Sequence, residues 1–214
     1  MEAIASKTSL QVFRIAGMNL RHNALGHIGL AILIAMVTPV LFGVSNLDAR
    51  AAAVPLEMFL VLIGIVLLTP VFQPEQNRDI HDLTASKYVS EIVVYMIRTV
   101  YSLVILLLII SVFIWFMQVC DCEVSILLLF GTLADAVFLG GLGMLGAAII
   151  NHTAVAYMLP LIYYTLNYGA GSKLGNFYLF AMMMEEYEPK LWLFFSGLIL
   201  ITAAIITKYL QRKL

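Results

Sequence analysis

Charged residues are scarce in this sequence. Of its 214 residues, 12% are Asp, Glu, Lys or Arg and 62% are hydrophobic, and the mean hydropathy is +0.98. Soluble domains carry about 25% charged residues, so this composition excludes an ordinary soluble domain and indicates a lipid environment. Six spans of about 20 residues each would use more than half of the chain. We therefore expect residues 1–214 to form a single transmembrane domain without a soluble catalytic domain.

Cysteine is also rare, and no pattern for nucleotide or metal binding is present in the sequence. Cys120 and Cys122 are separated only by Asp121. The two cysteines are too close together for an ordinary disulfide framework, and two cysteines are too few for a metal site. The stretch 169–173 (GAGSK) lacks the phosphate-loop order, in which Gly precedes Lys and Ser or Thr follows it. We expect two free thiols and no metal, cofactor or nucleic acid bound by this chain.

Long apolar runs fill most of the sequence and predict an all-α integral membrane protein with six transmembrane helices. The predicted spans are residues 25–44, 55–72, 92–117, 125–150, 154–168 and 191–207. Before them, residues 9–20 have the pattern of an amphipathic interfacial helix. Between spans five and six, Gly169, Gly171 and Gly175 are expected to break the helix. Residues 176–190 are too short to span and too apolar for a loop, which predicts a short re-entrant or interfacial helical segment.

The distribution of Lys and Arg predicts the orientation, because basic loops are retained in the cytoplasm. With six spans, eight basic residues fall on one side of the membrane and three, Arg50, Lys173 and Lys190, fall on the other. This bias predicts a multi-pass protein of the cell inner membrane with both termini in the cytoplasm. Residues 73–91 and the turn at Asn151 would then face the cytoplasm, and residues 169–190 the outside.

Arg98 and Asp135 are the charged residues predicted to lie within or near the membrane, where burial costs roughly 3 kcal/mol or more. For Arg98 the alternatives are a pathway role and helix positioning near the interface. For Asp135 they are a cavity-facing position and a dimer seam, and the two residues lie at different depths, which argues against a direct pair. Tyr164 of span five is a candidate pathway aromatic or an interfacial Tyr. The glycines at 140, 141, 143 and 146 favour close helix packing or a hinge.

This pattern resembles the exporter-type permease subunits of ATP-binding-cassette transporters, which move drugs, peptides, lipids and polysaccharides outward. The resemblance covers essentially the whole chain. In the loop after span two, Glu75, Arg78, Leu83 and residues 85–87 match the family's arrangement, although Ala85–Ser86 stand where the family often has Pro. Residues 138–143 (FLGGLG) are similar to the family's glycine-rich fourth span.

The resemblance implies export of a hydrophobic or amphipathic substrate such as a peptide, drug or lipid. A separate ATPase subunit with ATP and Mg would drive it, and a second copy of this chain or a related permease would complete the pathway among the membrane lipids. The residues expected to contact the ATPase are Glu75, Arg78, Asp79, Ile80, His81, Leu83, Ser86, Asn151 and His152. The residues expected to form an outer gate are Phe177, Glu185 and Glu186.

Two other classes of protein account for parts of the sequence. Glu185–Glu186 followed by Lys190 is similar to the paired glutamates of prenyl-processing membrane proteases, but those enzymes need an Arg at that third position. They also need histidines on other helices, whereas all four histidines here fall near the predicted cytoplasmic side and the glutamates on the outer side. A stand-alone immunity or channel-like protein would not need the polar helix at 80–88. We therefore expect no catalytic residues in this chain.

Overall fold

A computed structural model describes residues 24–76 and 91–211. Within these two ranges every regular element is helical and no strand occurs. In chain order the helices are α1 (Leu25–Phe42), α2 (Ala49–Pro55), α3 (Leu62–Leu68), α4 (Glu91–Val119), α5 (Ile126–Ile150), α6 (Thr153–Ala156), α7 (Met158–Ala170) and α8 (Glu188–Gln211). A π turn, Leu56–Leu60, joins α2 to α3. Shorter 3₁₀ turns cover Thr69–Gln76, Gly171–Phe177 and Met182–Met184.

Five of these helical stretches are long and apolar enough to cross a membrane. They are Leu25–Phe42, Ala49–Pro74, Ile92–Val119, Ile126–Ile150 and Glu188–Gln211. The predicted all-α membrane protein is confirmed at this level. The second stretch starts at Ala49 rather than near Pro55, and the last starts at Glu188 rather than at Leu191. The fifth predicted span, residues 154–168, consists of the short helices α6 and α7, which are separated at Tyr157.

Polar side chains at the helix ends define where several helices begin and end. The Asp48 carboxylate accepts the Ala51 N–H at 3.0 Å at the start of α2, and the Ser125 hydroxyl accepts the Leu128 N–H at 3.4 Å at the start of α5. Such N-caps satisfy backbone donors that have no partner within the helix. Asn151 ends α5 with a positive φ of 56°, a usual way to terminate a helix.

Helix α5 lies at the centre of the described fold, and glycines let its neighbours approach closely. A Cβ added to Gly140 would lie 2.6 Å from the carbonyl oxygen of Gly64 on α3, and one added to Gly197 of α8 would lie 2.9 Å from the Cα of Phe138. Small residues permit such contact between apolar helices. The glycines of α5 are therefore used for close packing, which was one of the two roles predicted for them.

Helix α1 packs more loosely than the other long helices. Its buried residues are Ala31 and Thr38, and an apolar groove of about 600 Å³ separates it from α4. Large apolar side chains line this groove, including Met36, Val112 and Phe116. The face has the composition of a lipid-exposed surface.

Both cysteines are free thiols, as predicted. They lie in the link between α4 and α5, which pairs with the link between α1 and α2. The Asn46 N–H donates to the carbonyl of Cys120 at 3.0 Å, and the Glu123 N–H donates to the carbonyl of Leu47 at 2.8 Å. These bonds hold the two links together at the same end of the bundle.

Candidate functional site

Three charged side chains meet inside the helical bundle. Lys190 Nζ lies 2.5 Å from Oε1 of Glu57 and 2.6 Å from Oδ2 of Asp135. The exposed fractions of Glu57, Asp135 and Lys190 are 0%, 1% and 0%. We call these three residues the buried ion cluster. Charged side chains are almost never fully buried unless they are paired, so each carboxylate depends on this lysine.

The Lys190 ammonium group has no unused donor. It carries three N–H donors, and its acceptors are Glu57, Asp135 and the main-chain carbonyl of Leu179. The third bond ties the lysine to the link between α7 and α8, which we call the connecting segment (residues 171–187). The lysine therefore joins two bundle helices and this segment at one point.

Glu57 holds the same segment from the other side. Its carboxylate accepts the backbone N–H groups of Met182 at 2.9 Å and Met183 at 3.1 Å. These two donors open the 3₁₀ turn Met182–Met184, and N–H groups at the start of a helical turn lack partners within it. With Lys190, three donors converge on this one carboxylate.

A buried amide completes the fixation of the segment. Asn167 of α7 is fully buried, and its Oδ1 accepts the Leu179 N–H at 2.9 Å. The buried backbone between Leu179 and Met183 thus obtains hydrogen-bond partners from side chains of three helices. Buried backbone polar groups need hydrogen-bond partners, and here these side chains supply them.

The cluster lies well inside the helices that supply its carboxylates. Glu57 comes eight residues after the start of the second stretch and Asp135 nine residues after the start of α5, or about 12 and 14 Å along each axis. Lys190 stands in the first turn of α8. The connecting segment must therefore descend between the helices to bring Lys190 to that depth. Gly131 makes room for it, because a Cβ there would overlap the Met182 sulfur.

Glu57 belongs to the π turn Leu56–Leu60, in which the Val61 N–H bonds to the carbonyl of Leu56 at 3.1 Å. π turns are rare and occur frequently at functional sites. The extra residue in this turn rotates α3 about the helix axis relative to α2, so that a different set of α3 residues faces α5.

The negative charge of Glu57 also affects the pKa of Tyr178 in the connecting segment. Partial burial raises the pKa of its hydroxyl above the ordinary value, and the negative charge of Glu57 raises that pKa further. The phenol therefore stays neutral at physiological pH.

The structure separates the two intramembrane charges singled out from the sequence. Asp135 is buried in the cluster with Lys190, a residue that the charge count had assigned to the outer loop. Arg98 lies elsewhere, 3% exposed, with its Nη1 donating to the carbonyl of Val71 at 3.2 Å. The absence of a direct bond between Arg98 and Asp135 agrees with the expected difference in depth.

Of the predicted pathway and gate residues, Tyr164 contacts the connecting segment and Phe177, Glu185 and Glu186 belong to it, but they do not form one cluster. The Tyr164 hydroxyl donates to the carbonyl of Met58, and its ring centroid lies 5.6 Å from that of Phe180. Phe177 is 43% exposed, and its carbonyl accepts the Tyr163 hydroxyl at 2.6 Å.

The two predicted gate glutamates are both exposed, and neither belongs to the buried ion cluster. Glu185 pairs with Arg50 across the end of the bundle. The Arg50 Nε lies 2.8 Å from Glu185 Oε1, and the two side chains are 61% and 54% exposed.

Replacing Arg50 with Ala is expected to lower the free energy of unfolding by no more than about 1 kcal/mol, because exposed ion pairs contribute little. Denaturant unfolding of the solubilised protein measures this difference. A loss comparable to that of a buried pair would show that Arg50, rather than Lys190, holds the connecting segment in place.

The predicted ATPase contacts lie mostly outside the described residues. Those from Arg78 to Ser86 fall there, as do the predicted interfacial helix and most of the polar loop, and of Glu75 only the backbone is described. Asn151 and His152 are exposed at the end of α5. The Asn151 Oδ1 accepts a hydrogen bond from the Lys208 ammonium group, and the Asn151 Nδ2 donates to Gln211 Oε1 at 3.3 Å. These bonds place the turn beside the end of α8.

Glu57 is the functional candidate that sequence reasoning missed. It is the single charged residue between Arg50 and Glu75, within an otherwise apolar run, and an isolated ionisable residue in such a run is a functional candidate by default. That signal was present. A predicted span starting near Pro55 made Glu57 look like a residue at the membrane surface.

Within residues 24–76 and 91–211, no group of three or more His, Cys, Asp or Glu side chains is placed to hold a metal ion. The cluster itself has two carboxylates and a lysine, which repels cations. Comparison of the chain with protein-family models, curated proteins and solved structures finds no match.

Proposed function

We propose that this chain is the membrane-spanning permease subunit of an ATP-binding-cassette exporter. The observation that carries the proposal is the connecting segment, a stretch of short 3₁₀ turns without α-helix that enters the bundle and is fixed there by buried ions and an amide. A segment of this kind, seated between helices and held by polar contacts, has the construction of a gate. Residues 176–190 were expected to form a short re-entrant or interfacial helical segment, and the proposal takes the re-entrant alternative.

A sixth crossing, formed by α6 and α7, belongs to this proposal. Residues 153–170 would extend about 27 Å as a helix, close to the roughly 30 Å of the hydrocarbon core. Their beginning lies beside Lys208 and Gln211 at the end of α8, and their other end leads into the connecting segment. Six crossings return the chain to its starting side. The bias of Lys and Arg supports a cytoplasmic position for both termini, with the protein in a bacterial-type inner membrane.

In this mechanism a partner ATPase binds the loop between the second stretch and α4. ATP binding closes the ATPase pair, moves that loop and switches the bundle between closed and outward-open states. A single bundle of this size offers too little wall to enclose a large substrate, so two permease chains act together. The chemistry of ATP hydrolysis lies on the partner, and the cargo is hydrophobic or amphipathic because the described helices are largely apolar.

Co-purification with the ATPase encoded beside this chain tests the proposal. With a tag on this chain alone, the ATPase is expected to co-purify and to turn over ATP. Replacing Arg78 and Leu83 together by Ala is expected to abolish both, because these residues would contact the ATPase. The matched control replaces Arg50, an exposed arginine at the opposite end of the bundle, and Leu166, an exposed leucine of α7.

The control variant is expected to retain the ATPase in full. A purified oligomer of this chain without ATPase would overturn the proposal and favour a stand-alone immunity or channel-like protein. Equal loss in both double variants would also count against a specific contact at Arg78 and Leu83.

A further inference from the structure

The buried ion cluster contains one carboxylate oxygen that lacks a donor. Three of its four carboxylate oxygens accept hydrogen bonds, and all three Lys190 donors are used by Glu57, Asp135 and Leu179. The remaining oxygen, Oδ1 of Asp135, is buried and has no hydrogen-bond partner among the described residues. An unpaired carboxylate oxygen in a buried site is one of the most costly arrangements in a protein.

The charges of the cluster do not balance. Two carboxylates and one ammonium group leave one surplus negative charge where Glu57, Asp135 and Lys190 are almost fully buried. Among the described residues, the other titratable groups whose electrostatic interactions reach these three are phenols: Tyr163 of α7, and Tyr178 and Tyr187 of the connecting segment. None of them supplies a positive charge. Neutrality requires one more positive charge inside the site.

The two carboxylates are not equivalent. Glu57 accepts two backbone N–H groups in addition to the lysine, and hydrogen bonds of this kind stabilise an ionised carboxylate. Asp135 receives a single bond, from Lys190. The free oxygen and the missing charge therefore coincide on Asp135.

We propose that the buried ion cluster is a proton-binding site, with the proton carried on Oδ1 of Asp135 while the connecting segment is seated. The proton makes the cluster neutral and converts the unpaired anionic oxygen into a neutral hydroxyl, which costs less to bury. Glu57 and Lys190 remain as an ion pair, and no covalent bond other than this O–H forms.

The proton links seating of the segment to pH, a consequence that depends on the proposed role of the segment as a gate. When the segment leaves the bundle, water reaches Asp135 and the proton is released. A proton bound only in the seated state favours seating as the pH falls and disfavours it as the pH rises. The gate would therefore open more readily on the alkaline side.

Infrared spectroscopy of the full chain reconstituted in lipid vesicles tests the site without any ATPase. The wild-type protein is expected to show the carbonyl stretch of a protonated carboxylic acid, shifted by hydrogen–deuterium exchange. Asp135→Asn should remove this band and keep the midpoint of thermal unfolding within a few degrees. Glu57→Gln leaves one carboxylate facing Lys190, so no surplus negative charge remains and the band should disappear there too. Glu185→Gln, which alters an exposed carboxylate, serves as the control that keeps the band.

Absence of the band from the wild type at neutral pH overturns the proposal, as does a band that disappears in Glu185→Gln but survives in Asp135→Asn. A bound sodium ion is the competing source of positive charge. In that case the unfolding midpoint of the wild type would rise with sodium at constant ionic strength and that of Asp135→Asn would not. Failure of the ATPase to co-purify would leave the band unchanged, so the two proposals fail separately.

Discussion

Replacing Lys190 with Met is expected to lower the free energy of unfolding by about 3–5 kcal/mol, the usual cost of removing one partner from a buried charge pair. Met keeps the apolar stem but removes all three donors of the ammonium group. Glu57 would lose its counter-charge, and the Leu179 carbonyl would lose its donor. The connecting segment would then be held at Leu179 by Asn167 alone.

Unfolding in mixed micelles, followed by Trp fluorescence, measures the effect. Lys173→Met is the matched control, because Lys173 is an exposed lysine of the same connecting segment, and it should change stability by no more than about 0.5 kcal/mol. The double variant Glu57→Gln with Lys190→Met should recover part of the loss, because it leaves no unpaired charge at Glu57. Equal effects of the two single lysine variants would contradict a structural role for the buried ion cluster.

Replacing Gly64 with Ala is the second change with a large expected effect, a loss of about 3 kcal/mol. The added Cβ would lie 2.7 Å from the Cα of Ala136 and would overlap its carbonyl. The obstacle is the backbone of α5, which cannot rotate away as a side chain can. Overpacking of this kind commonly costs about 1–3 kcal/mol, and separating α3 from α5 would also pull Glu57 away from Asp135.

Gly29→Ala provides the matched control within another apolar helix, α1. Nothing lies within 4 Å of a Cβ at that position, and Ala is the better helix former by about 1 kcal/mol. This variant should retain or slightly increase the unfolding midpoint, measured under the same conditions. A Gly64→Ala protein as stable as Gly29→Ala would mean that α3 and α5 are farther apart than described.

The long helices were predictable from sequence because apolar runs and capping residues are local signals. Five predicted spans correspond to long apolar helices. The predicted break occurs at Gly171 and Gly175, both with positive φ, but the prediction was wrong for Gly169, which lies within α7. The start of the second stretch was placed too late because Pro55 was taken as a first helical position. In the structure Asp48 caps the helix earlier, and Pro55 is accommodated just before the π turn.

The buried ion cluster was only partly predictable. Asp135 was identified because an isolated charge in an apolar run is conspicuous. Its partner was not, because Lys190 follows a cluster of glutamates and looks like part of a solvated loop. Bringing Lys190 to Asp135 depends on the descent of residues 178–187, which tertiary contacts with Glu57 and Asn167 determine. No local pattern encodes those contacts.

The order of the three ions along the chain has a consequence for biosynthesis. Glu57 leaves the ribosome about 130 residues before Lys190, which at about 5–20 residues per second corresponds to roughly 7–26 s. Asp135 also precedes the lysine. Both acidic helices therefore meet the membrane before their counter-charge exists, at an insertion cost of about 3 kcal/mol for an ionised group at mid-depth. The earlier helices can therefore form an ion-paired bundle in the membrane only after the first turn of α8, which contains Lys190, has been synthesised.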